Sequence, residues 1–384
     1  MTLRSIFGEG GFSDSEIDRL VYSRDAGDLE GEAMAVVWPK DVKQLHALVG
    51  YAKRQDYNLV IRGAGTSLQG GCVPVKSIIV DMSKMNKVLE IGDDFIVVQA
   101  GAVLDELNHR LGDKIIPIKP FNHAVCTIGG MVAMNCRGMD VSKGRIGDYV
   151  MGVDVVDGTG KYMKLKNPTA KNFVGLEGTT GIIAHVKLKL VSKKEYRSFS
   201  IYNFNTLSSM MEKVEKFRGK EEIKSILFFD DLASAMLGFE EKNHIVVEFL
   251  GDKGVIKDVK EIERILSFKE VLYHKLRKSR FGQIEDPKID SDKMAGFLYW
   301  LRKKSVPVYG HLCLGVVHPC FKEFSKLPTD MHELVETIKC ENASDFGYGF
   351  KRKSFLKGEK KVKHKILKEQ YDPKDLLNRG KVHE

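Results

Sequence analysis

Hydrophobic and polar positions divide the first half of the chain into short apolar runs separated by helical stretches. Residues 57–61 are a run rich in Val, Ile and Leu, which predicts a buried strand. Residues 42–52 place apolar side chains at helical spacing, whereas 186–191 alternate with period two, as a strand does. The mixture over residues 33–191 predicts an α+β or α/β domain with many turns.

A polar junction at residues 192–197 precedes a second set of elements. Two apolar strands alternate there with two helical stretches; they are 225–229, 244–250, 207–217 and 254–266. This order is typical of an antiparallel sheet covered by helices on one face. The pattern predicts an N-terminal segment, a first domain, a second domain, and a C-terminal helix and tail; these are residues 1–32, 33–191, 192–350 and 351–384.

A glycine-rich loop, residues 62–71, follows the first of these strands and reads Arg-Gly-Ala-Gly-Thr-Ser-Leu-Gln-Gly-Gly. Its glycines let the backbone adopt positive φ angles and bring N–H groups close to a ligand, and it contains no carboxylate. These properties suit a pyrophosphate. The loop is neither a P-loop nor a G-x-G-x-x-G fingerprint, because Leu68 takes the place of the third glycine. An ordinary glycine-rich hairpin is the alternative.

A second cluster of glycine and small hydroxyl residues lies at 127–135 and reads Thr-Ile-Gly-Gly-Met-Val-Ala-Met-Asn. Each of the two clusters comes after an apolar run. We therefore predict two backbone loops that close on one anionic ligand.

Composition and charge exclude several classes of protein. No apolar run reaches the roughly 18 residues that a membrane-spanning helix needs, and no secretory signal is visible, so we expect a cytoplasmic protein. The six cysteines form no C-x-x-C pair, which argues against an iron–sulfur cluster or a cysteine zinc site. Electrons from a redox cofactor would then leave through a separate protein, a quinone or a dye.

The formal charge of +9 is concentrated at residues 351–368. One interpretation is the solvated face of a C-terminal helix, with Val362, Ile366 and Leu367 packing inward. The other is attraction to an anionic membrane surface, as a peripheral contact, or to an acidic electron-accepting partner. Nucleic-acid binding is not expected, because no known nucleic-acid motif accompanies the charge.

Several ordered motifs resemble the flavin-binding domain of the vanillyl-alcohol oxidase superfamily, in its D-lactate dehydrogenase and glycolate oxidase branch. Besides the two loops, the chain has similar segments at Tyr22-Ser23-Arg24-Asp25-Ala26, at 37–42, at 98–104, and at Gly175-Leu176-Glu177-Gly178-Thr179-Thr180-Gly181-Ile182-Ile183. The resemblance implies an α+β fold, with a two-part FAD-binding domain and a C-terminal substrate domain. It also implies that the C-terminal tail returns to the flavin domain.

The resemblance further implies which residues bind FAD. The backbone of loop 62–71 would hold the pyrophosphate through Arg62, Gly63, Ala64, Gly65, Thr66 and Ser67, together with Thr127, Gly129, Gly130 and Asn135. Gly178, Thr179, Ile183 and Asn378 would lie near the flavin or its ribityl chain. Members with covalent flavin often carry a histidine in the first loop. Here the loop offers Ala64, so we expect non-covalent FAD.

Two histidines follow an apolar strand in the segment Tyr309-Gly310-His311-Leu312-Cys313-Leu314-Gly315-Val316-Val317-His318. Their odd spacing would place them on opposite faces of an extended strand, unless Gly315 supplies a bend. From spacing alone, two ordinary core or surface histidines are the alternative to a metal site. The segment is similar to a family element in which both histidines bind a divalent metal such as zinc or manganese, although Cys313 and Leu314 replace its Gly-Asp.

The resemblance assigns the third metal ligand to Asp345, in a segment where the family has Glu followed by a catalytic His. Phe346 stands in place of that His and cannot accept a proton. Because a positioned general base contributes a factor of roughly 10² to 10⁴, another group supplies the base or the reaction differs. Asp345 as a plain cap or turn residue is the alternative.

These residues lead to two hypotheses. In the first, the protein is an FAD-dependent dehydrogenase of a small D-2-hydroxy acid, such as D-lactate or glycolate, with His311, His318 and Asp345 as metal ligands and Arg277 or Arg280 binding the substrate carboxylate. The electron acceptor would be a quinone, a cytochrome or an iron–sulfur subunit. In the second, it is a non-catalytic FAD-binding subunit that relays electrons. The sequence does not name the substrate, the acceptor or the oligomeric state.

Overall fold

The computed structural model describes residues 2–138, 140–193, 197–342 and 347–382. Its α-helices are α1 (Leu3–Phe7), α2 (Glu16–Val21), α3 (Val42–Gln55), α4 (Leu104–Arg110), α5 (Ile128–Met134), α6 (Leu207–Phe217), α7 (Asp231–Leu237), α8 (Val259–Leu266), α9 (Phe268–Lys278), α10 (Ser291–Lys303), α11 (Leu327–Thr337) and α12 (Gly358–Tyr371).

The strands are β1 (Phe12–Ser13), β2 (Glu32–Val37), β3 (Asn58–Arg62), β4 (Val75–Asp81), β5 (Val88–Ile91), β6 (Phe95–Gln99), β7 (Lys114–Ile115), β8 (Val150–Asp157), β9 (Tyr162–Lys166), β10 (Gly181–Lys189), β11 (Val191–Ser192), β12 (Arg197–Phe204), β13 (Ile223–Phe229), β14 (Asn243–Leu250), β15 (Gln283–Ile284), β16 (Val308–His311) and β17 (Val316–Phe321). Short 3-10 helices span Met82–Lys84, Val141–Lys143, Ile146–Asp148, Thr169–Phe173 and Lys353–Phe355.

The chain forms two compact units. Unit 1 comprises residues 1–138, 144–193 and 346–384, and unit 2 comprises 139–143 and 194–345. The C-terminal tail therefore belongs to the same unit as the glycine-rich loops.

Unit 1 contains two main sheets. The first has the order β1-β2-β4-β3, with parallel pairing from β2 through β4 to β3. Its central strand β4 is apolar on both faces because Ile78 and Val80 face the main core while Ile79 packs in a smaller cluster behind it. The second sheet, β5-β6-β10-β8-β9, is antiparallel. This mixed architecture is the α+β fold that the sequence predicts.

Unit 2 is built on a six-stranded antiparallel sheet with the order β12-β14-β13-β16-β17-β15. One face packs on α6, α10 and α11 through side chains such as Phe228, Ile245 and Val317. The opposite face carries Phe229, which contacts Phe268 of α9 with ring centroids 6.1 Å apart. The antiparallel sheet with covering helices confirms the expectation for this part of the chain, but the helices cover both faces and not one, because Phe229 gives the second face an apolar contact for α9.

Helix α8 begins later than the sequence pattern predicts. The predicted helix starts at residue 254, but the structure starts it at Val259, because Asp258 caps it by accepting the N–H of Glu261 at 3.1 Å. Before this cap, Ile256 forms a bridge with Phe199 of the sheet. The backbone of Ile256 therefore extends the edge of the sheet and is not part of the helix.

Candidate functional site

The first glycine-rich loop leaves β3 at Arg62 and presents a run of open backbone donors. Within the described part of the chain, the N–H groups of residues 63–68 have no hydrogen-bond acceptor. The loop is shaped by Ser67, whose Oγ accepts the N–H groups of Gln69 and Gly71 at 3.2 and 3.0 Å. Six consecutive donors without a protein acceptor fit the oxygens of a pyrophosphate.

Unlike residues 63–68 of the first loop, the second loop has N–H groups that donate to acceptors within the protein. The N–H of Gly129 donates to the carbonyl of Ala100 at 2.7 Å, and that of Gly130 to Oγ1 of Thr127 at 3.3 Å. Asn135 ends α5 in the left-handed region and accepts the N–H of Gly147 on Oδ1 at 3.0 Å. These three residues therefore fix the shape of the loop. Their predicted part in pyrophosphate binding stays a prediction.

The two loops lie against each other at Gly63 and Thr127. A Cβ on Gly63 would overlap the hydroxyl of Thr127, so glycine lets the backbone of the first loop lie this close to the side chain of Thr127. A separate contact fixes Thr66, because Nδ2 of Asn122 donates to its hydroxyl at 2.7 Å. The sequence-predicted residues of loop 62–71 are thus brought together with Thr127.

The third loop, residues 175–180, is joined to the C-terminal tail by Asn378. Its Nδ2 donates to the carbonyl of Glu177 at 2.6 Å, and its Oδ1 accepts the N–H of Ile61 at 3.2 Å. Gly178 has a φ of 69° and lies against the side chain of Asn378, while Thr179 is fully buried. One side chain therefore fixes the third loop to the strand that leads into the first.

The carboxylate of Glu177 holds the start of the C-terminal segment. It accepts the N–H groups of Tyr348 and Gly349 at 2.7 and 3.0 Å. Burial raises the pKa of Glu177, and these two hydrogen bonds, together with Lys381 and Arg352, oppose the increase. Sequence reasoning did not single out this carboxylate, because a lone Glu in a glycine-rich loop has no distinctive pattern.

Two buried lysines also fix the tail. Nζ of Lys368 donates to the carbonyls of Thr179 and Leu377 at 3.0 and 2.7 Å and pairs with Asp372 at 2.7 Å. Nζ of Lys381 donates to the carbonyl of Gly71 at 2.8 Å, and burial lowers the pKa of Lys381 to about 8. Both ends of the tail are therefore bonded directly to the loops of unit 1.

The basic stretch differs from the simple solvated helix face that the sequence suggests. Lys368 is buried, whereas Val362 and Ile366, expected to pack inward, are 59% and 56% exposed. The reason is that α12 places the face of Leu367, Lys368 and Tyr371 against unit 1. The helix phase is set by the ion-paired lysine and not by the two aliphatic side chains.

Two further predicted cofactor residues occupy defined places. Ala64 is exposed at the tip of loop 62–71. Ile183 is buried in β10 opposite Val155, and a register shift follows it before His185. Together with the open donors of the first loop and the cations Arg62 and Lys381, the residues of unit 1 fit FAD.

In unit 2, His311 and His318 lie on the same face of one hairpin. Tyr309 is paired with His318 across β16 and β17, and His311 is two residues from Tyr309 on its own strand. The turn between the strands contains Gly315, with a φ of 69°, and this reversal brings the two histidines to one face. Both side chains are buried.

A buried carboxylate stands opposite His318 on the other side. The N–H of Glu285 donates to the carbonyl of Pro319 at 3.1 Å, and the N–H of Val317 donates to the carbonyl of Pro287 at 3.2 Å. Asp286 and His318 lie between these two hydrogen-bonded pairs, so they face each other as a non-hydrogen-bonded pair. Such pairs have Cα atoms about 4.5 Å apart. On the opposite side, the rings of Tyr309 and His318 are 4.8 Å apart. The row Tyr309, His318, Asp286 was not predicted from the sequence.

A lysine contacts the other histidine. Nζ of Lys269, at the start of α9, lies 2.9 Å from Nε2 of His311. A protonated amine has only donors, so Nε2 is the acceptor and its lone pair is directed at the lysine. Sequence reasoning missed Lys269, because it precedes His311 by 42 positions and belongs to no recognised motif.

The described residues do not fit a divalent metal at this place. Among residues 2–138, 140–193, 197–342 and 347–382, no three His, Cys, Asp or Glu side chains form a group that could hold one. Nε2 of His311 is bonded to Lys269. The predicted third ligand, Asp345, and the neighbouring Phe346 lie outside the described residues.

Arg277, predicted to bind a substrate carboxylate, lies at the other end of α9. Its guanidinium donates to the carbonyl of Gly282 at 3.4 Å and is 3.9 Å from Glu323. It is eight residues from Lys269, or roughly 12 Å along the helix axis. Arg280 is exposed beyond the end of the helix. The structure does not group either arginine with the two histidines.

Within the described residues, no helix has both the length and the apolar character that spanning a membrane requires.

Comparisons with known proteins give consistent results. Residues 33–166 match the FAD binding domain family. The chain is 25% identical to glycolate oxidase subunit GlcD of Bacillus subtilis, over 99% of this chain and 95% of that protein. It is 23% identical to a D-lactate dehydrogenase of Archaeoglobus fulgidus, over 91% of each. A D-2-hydroxyglutarate dehydrogenase of Xanthomonas citri is 27% identical over 52% of this chain and 46% of its own length.

Among solved structures, an alkyldihydroxyacetonephosphate synthase is similar in fold. It superposes with a TM-score of 0.71 at 18% sequence identity, covering 98% of this chain and 83% of the other.

Proposed function

We propose that this chain is a member of the vanillyl-alcohol oxidase superfamily of FAD-linked enzymes and that it oxidises a small D-2-hydroxy acid of the D-lactate or glycolate class. At the coarser level the assignment is firm: the protein is an FAD-dependent oxidoreductase of the type that includes D-lactate, D-2-hydroxyglutarate and glycolate dehydrogenases. Such enzymes act on CH–OH groups.

The observation that carries the proposal is the open backbone of residues 63–68. These donors have no acceptor in the described chain, while the neighbouring loops are closed by their own bonds and by the tail. A surface with several short donors and nearby cations, Arg62 and Lys381, binds a diphosphate and places no carboxylate against it. The donor run of residues 63–68 would suit the pyrophosphate part of a dinucleotide.

When bound, FAD supplies the hydride acceptor for the reaction. The chain's own residues would hold it, with residues 63–68 on the pyrophosphate and Asn378 and Gly178 near the ribityl chain or the flavin. In unit 2, the face that carries His311, His318 and Lys269 would bind the hydroxy acid. A substrate carboxylate and hydroxyl match its donors and cations.

A second electron carrier is part of this proposal, because a reduced flavin must be reoxidised. The six cysteines are separate thiols, and no cysteine cluster for iron and sulfur occurs among the described residues. A quinone, a cytochrome or an iron–sulfur subunit would then be the acceptor. Contact with a membrane surface through the basic residues of α12 would suit a quinone.

The alternative function is an FAD-binding electron-relay subunit. Phe346, in place of the histidine of related segments, favours it, because phenylalanine cannot accept the proton of the substrate hydroxyl. In this case the flavin would be reduced by a partner and not by a hydroxy acid.

Anaerobic flavin reduction distinguishes the two functions. The purified protein is mixed with D-lactate, glycolate or D-2-hydroxyglutarate, and the flavin absorbance near 450 nm is followed. Bleaching by glycolate, which is achiral, or by a D-acid with no bleaching by its L-isomer, supports the dehydrogenase. A protein that holds FAD but is bleached by none of the acids supports the relay subunit. A protein that binds no FAD contradicts both.

A further inference from the structure

Lys269 occupies the metal-facing side of His311. Its Nζ is 2.9 Å from Nε2, and because an ammonium only donates, this nitrogen has given its lone pair to the lysine. A metal at Nε2 would need the same lone pair. A cation already stands where the histidine element implies a divalent metal.

We propose that the Lys269 ammonium replaces the metal and binds the carboxylate of the substrate beside His311. This inference rests on the proposed function, since it takes a hydroxy acid as the ligand. A fixed positive charge serves the same purpose of attracting and orienting an anionic substrate, and it needs no third protein ligand. His311 then positions the lysine.

Apolar neighbours of His311 strengthen the attraction between the Lys269 ammonium and a carboxylate. Leu227 and Val316 are paired with His311 on its two sides in the sheet, and both are buried. Apolar neighbours lower the local dielectric, so an ammonium here attracts a carboxylate more strongly than it would in open solvent.

The neighbouring sequence agrees with a site that has lost its metal. Cys313 and Leu314 stand where the family element that this segment resembles has Gly-Asp. Arg277, the other candidate for the carboxylate, is directed at Gly282 and Glu323. Lys269, by contrast, contacts His311 directly.

The test compares Lys269→Met with Lys275→Met in the FAD-loaded full chain. Lys275 is exposed on the same helix, so the second variant makes the same exchange away from His311. The probe is oxalate, a small dicarboxylate, and its binding is measured by isothermal titration calorimetry. Metal per flavin is measured by mass spectrometry before and after dialysis against EDTA.

We expect wild type and Lys275→Met to bind oxalate equally and to keep this binding after EDTA. Lys269→Met should bind oxalate about 10-fold to 100-fold more weakly, the effect of losing one charged hydrogen bond. Lys269→Arg keeps the charge and should recover part of the loss. If Lys269→Met does not retain FAD, Lys269→Arg serves as the test in its place. Oxalate binding by Lys269→Arg within about 10-fold of wild type then supports the proposal.

Three outcomes overturn the proposal. They are one metal per flavin in wild type whose removal weakens oxalate binding, equal oxalate binding by Lys269→Met and Lys275→Met, and no oxalate binding by wild type. Failure of the proposed function looks different. In that case no hydroxy acid reduces the flavin, while oxalate still binds in a way that depends on Lys269.

Discussion

Asn378 donates from Nδ2 to the carbonyl of Glu177 at 2.6 Å, while its Oδ1 accepts the N–H of Ile61 at 3.2 Å. Asn378→Ala removes both bonds and leaves two buried backbone groups without partners. At about 1 kcal/mol for each bond, we expect FAD to bind roughly 10-fold or more weakly. Flavin fluorescence titration measures the effect. Asn203→Ala, at an exposed position of β12, is the control; equal FAD affinity in the two variants would contradict a role in the cradle.

Gly65 is the second test of the cradle. It has a φ of 71°, and a Cβ there would meet the guanidinium of Arg62. Gly65→Val should therefore distort the donor run and yield protein without flavin. Gly112→Val is matched, because Gly112 has a φ of 61° with open space around it. Both variants carry the same kind of backbone strain, so loss of flavin from both would show that strain alone is responsible.

Glu177 should control the C-terminal segment. Its two carboxylate oxygens accept two N–H groups, from Tyr348 and Gly349. In Glu177→Gln one oxygen becomes an NH2 group that faces an N–H, so one bond is replaced by repulsion. We expect faster proteolysis near residue 348 and weaker FAD retention. Glu221→Gln, at an exposed position, should leave both unchanged. Unchanged cleavage in Glu177→Gln would mean that other contacts hold this segment.

Asp230 predicts a pH dependence of stability in unit 2. It caps α7 by accepting the N–H of Ala233 at 2.8 Å, and burial raises its pKa to about 8. Its folded pKa is above the unfolded value, so the folded state binds more protons and stability falls as the pH rises from about 4 to about 8. Asparagine caps equally well without titrating. Relative to Asp230→Asn, wild type should lose thermal stability over this range, as measured by its melting temperature. A constant difference would refute the assignment.

Local patterns predicted most of the framework. The strand before residue 62, helix α3 and the strands β13 and β14 follow from apolar runs and helical periodicity, which depend on neighbouring residues. The positions of the glycine loops also follow, because positive φ and close approach select glycine. The sequence could not show that N–H groups of the second loop donate to acceptors within the protein. Some of these acceptors, such as the carbonyl of Ala100, lie elsewhere in the chain.

Contacts between distant residues account for the parts that were missed. Lys269 reaches His311 across 42 positions and Asp286 faces His318 through strand register, so neither contact has a sequence signature. The odd spacing of the two histidines predicts opposite faces unless Gly315 supplies a bend, and the turn that contains Gly315 supplies it. Val362 and Ile366 were assigned inward because hydrophobicity was weighted above the buried ion pair of Lys368.

The bond between Ile61 and Asn378 joins residues 317 positions apart. At 5 to 20 residues per second, a ribosome makes the first of these residues roughly 15 to 60 s before the second. During that interval β3, which leads into loop 62–71, lacks its hydrogen bond to Asn378. The bonds that Asn378 makes to Ile61 and Glu177 can therefore form only after residue 378 has been synthesised.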